Sequence, residues 1–423
     1  MDTGEQTPPE HVDPGKTILA LLLFATAATC FLGWLFKGHC ALDGDWGNVE
    51  MYVTGCYSDA YPFWHARGLS DGFIPYFQAP MEYPVLTGML IWLEALWTHA
   101  LFGMEANDPA FVFTVSLVNG ALALVVTRLL WRTGLPLSRL WAWAFAPPLV
   151  LYVGHNWDML AVTLALAALV AAQQGKLIKA CAIAGLGTAA KLFPVLLLPL
   201  FALRKLFQLR LVDVALMAAA AIAAWLAVNL PVALAAFDNW WEFYGFSSER
   251  SGTRASLWEL AGYYGWLATD VPTRNMLSLV TFVAGVALIL EQGWRRHADR
   301  LWALFTPVLL WFMLTNKVYS PQFDLWAYPF ILLTARRWQP IALFAAADIA
   351  AYFSEFWVFA TAEGAGPGAT MEWILVASLV RAAAMMWLIV DAVRSDPPEW
   401  LAAPHARADT GFVELGAEPA AQP

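Results

Sequence analysis

Apolar runs of about 20 residues recur between residues 17 and 393, and a run of that length is what crosses ~30 Å of hydrocarbon as a helix. Composition agrees. Of 423 residues, 60% are hydrophobic and 13% are charged, with a mean hydropathy of +0.56. Ordinary globular chains lie nearer half apolar and a quarter charged. The pattern therefore predicts an all-α polytopic membrane protein whose first partner is the lipid bilayer. A net charge of -9 supplies no basic face for nucleic acid, so that partner class is excluded. Many of the 23 Trp fall near the ends of the apolar runs, where indole rings favour the membrane interface.

Lys and Arg mark the cytoplasmic side of membrane proteins. They cluster here at Arg128, Arg132 and Arg139, at Lys176 and Lys179, at Arg204, Lys205 and Arg210, at Arg295, Arg296 and Arg300, and at Arg336, Arg337 and Arg394. Placing all of these inside gives about 12 crossings and leaves both termini cytoplasmic. Two of the crossings are short limbs within 177–203 that meet at Lys191-Leu192-Phe193-Pro194, where the proline breaks the helix. Residues 84–103 are apolar enough to span, but a crossing there would put Arg132 and Arg139 outside. With Glu94 and His99 in the stretch, it is read as a helix lying in the outer interface.

The domain division follows. Residues 1–16 are read as a cytoplasmic N-terminal segment, polar up to Asp13, with no cleavable signal pattern before the retained first span. Residues 17–393 form a single integral membrane domain, in which 37–110 is an external loop bearing interfacial helices. Residues 394–423, rich in Pro and Ala, read as a cytoplasmic disordered tail. Cys40 and Cys56 both fall in the first loop and can pair if it faces an oxidising compartment, a closure worth ~3 kcal/mol in the chain-entropy model. Cys30 and Cys181 lie in apolar helices as small hydrophobes. Asp348 and Arg381 sit deep in adjacent spans, ~12 Å and ~15 Å from their helix ends, and are expected to form a structural ion pair.

With this topology the polar residues that packing does not explain gather on the outer side. The first loop supplies Asp59, Arg67 and Glu82; the next outer turn supplies His155, Asn156 and Asp158. The broken helix supplies Lys191, and later loops supply Arg250, Arg254, Lys317 and Tyr319. Carboxylates and cations at one membrane level suit the deprotonation of a neutral nucleophile beside a lipid phosphate. A sugar on a polyprenyl phosphate is an activated donor. Its transfer needs a carboxylate to take the acceptor proton and cations to receive the departing phosphate charge. It needs no nucleotide-binding loop, and the sequence has none. Each residue also has a plainer role. Asp59 after Ser58 is placed to cap a helix, and Asn156 and Asp158 are placed to cap another. Lys191 is placed to snorkel, Arg250 and Arg254 are placed as solvated loop charges, and Lys317 is placed in a turn. His65, His99 and His155 lack metal-ligand spacing, so no metal or other cofactor is assigned.

Six segments carry a resemblance: Cys56-Tyr57-Ser58-Asp59, Gly72-Phe73-Ile74-Pro75-Tyr76, Glu82-Tyr83-Pro84, Asn156-Trp157-Asp158, residues 185–194 ending in Lys191-Leu192-Phe193-Pro194, and Asn316-Lys317-Val318-Tyr319-Ser320-Pro321-Gln322. In order and spacing, over roughly 17–393, the chain resembles actinobacterial members of glycosyltransferase family 87, of the type C membrane glycosyltransferase fold. The resemblance implies an external first loop with two interfacial helices. It makes Asp59 the catalytic base, with Lys191, Arg250, Lys317 and Tyr319 holding the donor and Glu82, Asn156, Asp158 and Arg67 binding substrate. It implies a polyprenyl-phosphate mannose or arabinose donor, a cell-envelope glycan or glycolipid acceptor, and a plasma-membrane location with the active site outside. The segment 249–254 departs from the aromatic, Gly-rich continuation of the family, which leaves sugar and acceptor open.

The expected function is thus inverting sugar transfer at the external face. The alternative is a transporter or flippase of lipid-linked sugars, since a broken helix also suits a substrate path. The long carboxylate-bearing first loop, which transport does not need, separates the two.

Overall fold

A computed structural model describes residues 14–42, 46–267 and 270–402. Nineteen α-helices follow one another with no strand among the described residues. The first part of the chain holds α1 (Pro14–Leu42), α2 (Glu50–Val53), α3 (Ala60–Ala66), α4 (Val85–Phe102), α5 (Asp108–Arg132), α6 (Leu137–Ala144) and α7 (Pro147–Tyr152). The middle holds α8 (Asp158–Gln173), α9 (Leu177–Ala190), α10 (Leu197–Phe207), α11 (Leu211–Ala235), α12 (Phe237–Glu249) and α13 (Leu257–Tyr263). The last part holds α14 (Val271–His297), α15 (Phe305–Thr315), α16 (Phe323–Thr334), α17 (Trp338–Ala362), α18 (Met371–Arg394) and α19 (Glu399–Ala402).

Seven helices (α1, α4, α5, α11, α14, α17 and α18) are long and apolar enough to cross a membrane. The protein is an all-helical membrane protein. Its shorter apolar helices form the centre: every residue of α16 is buried, as is most of α8. The long helices α11 and α14 bury few residues and expose apolar side chains such as Leu234 and Val283, as lipid-facing helices do.

Small residues set the closest approaches. A Cβ on Gly185 of α9 would run into the Ala221 backbone of α11, so the two helices abut there. Between Thr26 on α1 and Thr127 on α5, a hydroxyl pair at 2.9 Å joins the helices, and Thr29 donates to the Ala144 carbonyl at 2.7 Å. The expected break in 177–203 is present. α9 stops at Ala190, and a 3₁₀ turn over Phe193–Leu196, with Pro194 in its first positions, leads into α10.

Three hydrogen bonds locate α4. Thr87 donates to the carbonyl of Ala190, the last residue of α9 (2.7 Å). Glu94 accepts from the indole of Trp157, just before α8 begins (2.6 Å). Thr98 meets Thr114 near the start of α5 (2.9 Å). α8 and α9 are packed neighbours joined by a short turn, so Trp157 and Ala190 mark one end of that pair. Asn119 of α5 donates to the carbonyls of Val153 and Asn156 at the same end. Early, middle and late turns of α4 therefore all touch one end of the bundle, although the helix is long enough to cross.

Cys40 and Cys56 are joined by a disulfide that fastens the end of α1 to the segment leading into Asp59. Two expectations require correction. Arg381 pairs with Asp324 of α16 at 3.2 Å, not with Asp348. Asp348 instead accepts the Tyr152 hydroxyl. Depth along the helices matched Asp348 to Arg381, but a second carboxylate, Asp324 from α16, stands closer, and helix depth carries no information about azimuth. The segment after Arg394 is also not free over its described part. The Trp400 indole donates to the Leu333 carbonyl at 2.8 Å, the Arg139 guanidinium lies 5.0 Å over its ring, and Leu401 is buried. Residues 1–13 of the N-terminal segment and 403–423 of the tail lie outside the described residues.

Candidate active site

Asp59 stands at the N-terminus of α3, yet its side chain caps nothing. The capping acceptor is Ser58, whose Oγ takes the Ala60 N–H at 3.2 Å and donates to the Gly154 carbonyl at 2.7 Å. The Asp59 N–H donates to the His155 carbonyl at 2.8 Å. The backbone is thus stitched to the turn before α8, and the carboxylate is left for another use. Tyr57 donates its hydroxyl to Asp59 Oδ1 at 3.0 Å. Behind this pair, the fully buried Lys37 of α1 donates to the carbonyls of Gly55 (3.1 Å) and Tyr57 (2.8 Å), and lies 3.3 Å from His155 Nδ1.

Asp59 lines a cavity of about 820 Å³. The same walls carry Lys191, Arg250 and Lys317, and also Arg67 and Glu82. Lys191, placed by the break after α9, forms an ion pair with Asp158 and lies 4.9 Å over the Tyr83 ring. The other oxygen of Asp158 accepts the Trp326 indole at 2.8 Å, so this buried carboxylate fixes Lys191 against the wall. Arg250 and Lys317 pair with no carboxylate among the described residues. The Arg250 guanidinium rests 5.1 Å over Phe246, and the Lys317 ammonium donates to the Ser248 carbonyl at 3.0 Å. Arg67 and Glu82 form an ion pair with each other.

The electrostatics tie these groups together. Burial pushes the Asp59 carboxyl up to about 6; the Tyr57 hydrogen bond, Lys191 and Lys37 pull it down, and Asp158 pushes it up. The Asp59 charge and then burial hold the Tyr57 phenol well above its ordinary value, so it remains a donor. Burial pulls Arg250 down, against Tyr83, Asp59 and Glu82. Burial and then the neighbouring Arg250 and Arg274 lower Lys317. His155 is held neutral by burial and by Lys37. The arrangement is a carboxylate that titrates close to neutral pH beside two cations with no anion of their own. It can take a proton and receive a negative group in the same space.

Not every expected residue reaches this space. Tyr319 turns inward: its hydroxyl donates to Asp324, and the Arg381 guanidinium lies 3.7 Å over its ring. It belongs to the buried network between α16 and α18 and not to a donor-binding wall. Asn156 is buried, and its Oδ1 accepts the Asp158 N–H at 3.2 Å, so it shapes the start of α8. Asp158 is not on the cavity wall and bears on the cavity through its ion pair with Lys191 and through its charge on Asp59. The acidic residues Asp238, Glu242 and Glu249 line a separate hollow of about 490 Å³ that shares Arg250. His39 lies beside Cys40 and Cys56, but their sulfurs are tied to each other and offer no thiolate.

Sequence reasoning missed Lys37, Tyr57 and Glu355. Lys37 reads as an interface anchor at the end of an apolar run, and nothing local points to the carbonyls it holds. Tyr57 stands two residues from Asp59, a spacing that carries no general meaning. Glu355 did leave a signal, as a carboxylate inside the apolar run of α17.

No protein-family model matches the chain, and no curated protein matches it.

Proposed function

We propose that the chain is a polytopic glycosyltransferase of the type C class, similar to glycosyltransferase family 87. It moves a sugar, mannose or arabinose, from a polyprenyl-phosphate donor to a cell-envelope glycan or glycolipid. One observation carries the reading: the free face of Asp59 shares an 820 Å³ cavity with Lys191, Arg250 and Lys317. In the proposed step Asp59 takes the proton of the acceptor hydroxyl as its oxygen attacks the anomeric carbon. The carbon–oxygen bond to the phosphate breaks, and the departing charge is received by Arg250, Lys317 and Lys191. A single displacement inverts the anomeric centre. Arg67 and Glu82, paired at the cavity wall, are assigned to the substrate's entry side.

The same reading takes α4 as an interfacial helix of the external loop and counts about 12 crossings in the plasma membrane, both termini cytoplasmic and the cavity outside. Contact of α4 with a single end of the bundle supports it. The direct test is transfer by the purified protein from synthetic polyprenyl-phosphate mannose and arabinose to envelope acceptors, with Asp59→Asn alongside. Product from wild type and none above background from the variant is expected. Equal product from both removes Asp59 from its role.

The buried Arg381–Asp324 pair with Asp348 nearby favours a second reading, a carrier of lipid-linked sugars, because intramembrane charges often line transport paths. A protein that forms no product but moves labelled polyprenyl-phosphate sugar across proteoliposome membranes would be that carrier.

A further inference from the structure

Glu355 projects from α17 into the same cavity, 5% exposed, with Oε2 enclosed and without a hydrogen-bond partner. A buried carboxylate oxygen left unmatched is costly, and native proteins seldom keep one without a use. The wall around it is aromatic. Phe356 and Phe359 of the same helix pack on Tyr52 at 6.2 and 5.5 Å, and Phe356 lies 5.3 Å from Tyr57, the partner of Asp59. Arg254 lies 4.4 Å over the outer ring of this wall, Phe359, and forms no ion pair with Glu355.

The ligand that satisfies this corner can be narrowed by charge. An anionic group is repelled by Glu355 and drawn to Lys191, Arg250 and Lys317. A cationic ligand is repelled by those same three. What remains is a neutral group rich in hydroxyl donors with an apolar face. A sugar ring has both, since its C–H face packs on aromatic rings while adjacent hydroxyls donate to a carboxylate. We infer that Glu355 and the Tyr52, Tyr57, Phe356 and Phe359 rings form a sugar subsite, in which Glu355 reads ring hydroxyls while the cations hold the phosphate. The inference rests on the glycosyltransferase reading and adds to it the residue that selects the sugar.

The test compares two lipids, bare polyprenyl phosphate and the same lipid carrying mannose or arabinose, binding to the full-length protein in nanodiscs. Wild type should prefer the sugar-bearing lipid. Glu355→Gln should lose about 10-fold in affinity for it, the worth of one hydrogen bond to a charged group, and bind bare lipid as before. If the lipid preference persists but the acceptor KM rises about 10-fold, the subsite holds the acceptor's sugar, and Glu355 keeps its role. Equal weakening toward both lipids would mark Glu355 as structural and overturn the inference, as would an unchanged preference with unchanged KM values. Absence of transfer by wild type would defeat the enzymatic reading separately, because the binding comparison needs no turnover.

Discussion

Asp59 is held by its backbone and by Tyr57, so replacing its carboxylate should change chemistry with little change in shape. Asp59→Asn is expected to lower kcat by about 10²- to 10⁴-fold, the usual worth of a positioned base. In wild type, kcat/KM should rise with pH through about 6, where the carboxyl loses its proton. The stability effect has a definite sign. The folded carboxyl titrates above the unfolded one, so between the ordinary carboxylate range and about pH 6 the folded state binds more protons and stability falls as pH rises. Asn removes that cost. The variant should melt with wild type at pH 4 and above it at pH 8; a lower midpoint at pH 8 would show Asp59 to be structural. Asp158→Asn tests a different part. It frees Lys191 from its ion pair, so the donor KM should rise about 10-fold, and because the Asp158 charge pushes Asp59 up, the rising limb of the kcat/KM profile should move to lower pH. At this scale the sequence was readable where a residue broke its surroundings. Asp59 in a polar loop and Lys191 beside a proline break stood out. Tyr319 misled because a loop motif says nothing of which way a side chain turns, and Lys37 was hidden because its partners are carbonyls 18 and 20 residues away.

Elements are set by small residues and breaks more than by the apolar pattern. The break at Pro194 was legible because proline cannot continue a helix, and it is what exposes Lys191 to the cavity. The close approach of α9 and α11 was not, since Gly185 in an Ala-rich helix looks like any other tolerated glycine. One substitution at two sites separates the cases. Gly120→Ala in α5 meets only Cys30, at 3.5 Å, and should stabilise by up to about 1 kcal/mol through helix propensity. Gly185→Ala meets the backbone of Ala221 and should destabilise by about 1–3 kcal/mol, as overpacking does. Thermal unfolding in one detergent reads both. Equal shifts in the same direction would mean that the two helices do not abut at Gly185.

For the molecule as a whole, the proposed orientation rests on two lines, the charge clusters that assign the cytoplasmic side and the contacts of α4 with one end of the bundle. Composition alone could not decide α4, because an apolar stretch of 18 residues satisfies both a crossing and an interfacial site. The decision matters, since one crossing more or fewer would reverse every later helix. Met104, 68% exposed in the turn between α4 and α5, is the place to ask. Its replacement by Cys adds the one accessible thiol, as Cys30 and Cys181 are buried and Cys40 and Cys56 are bonded to each other. In intact cells Met104→Cys should react with a membrane-impermeant maleimide without permeabilisation. Gln208→Cys, in the basic turn between α10 and α11, should react only after it. Asp71→Cys, exposed ahead of α4, should label from outside together with Met104→Cys. All three sites reversed would turn the molecule over and open the Asp59 cavity to the cytosol. Labelling of Asp71→Cys and Met104→Cys on opposite sides would make α4 a crossing helix and take with it the external loop on which the proposed chemistry stands.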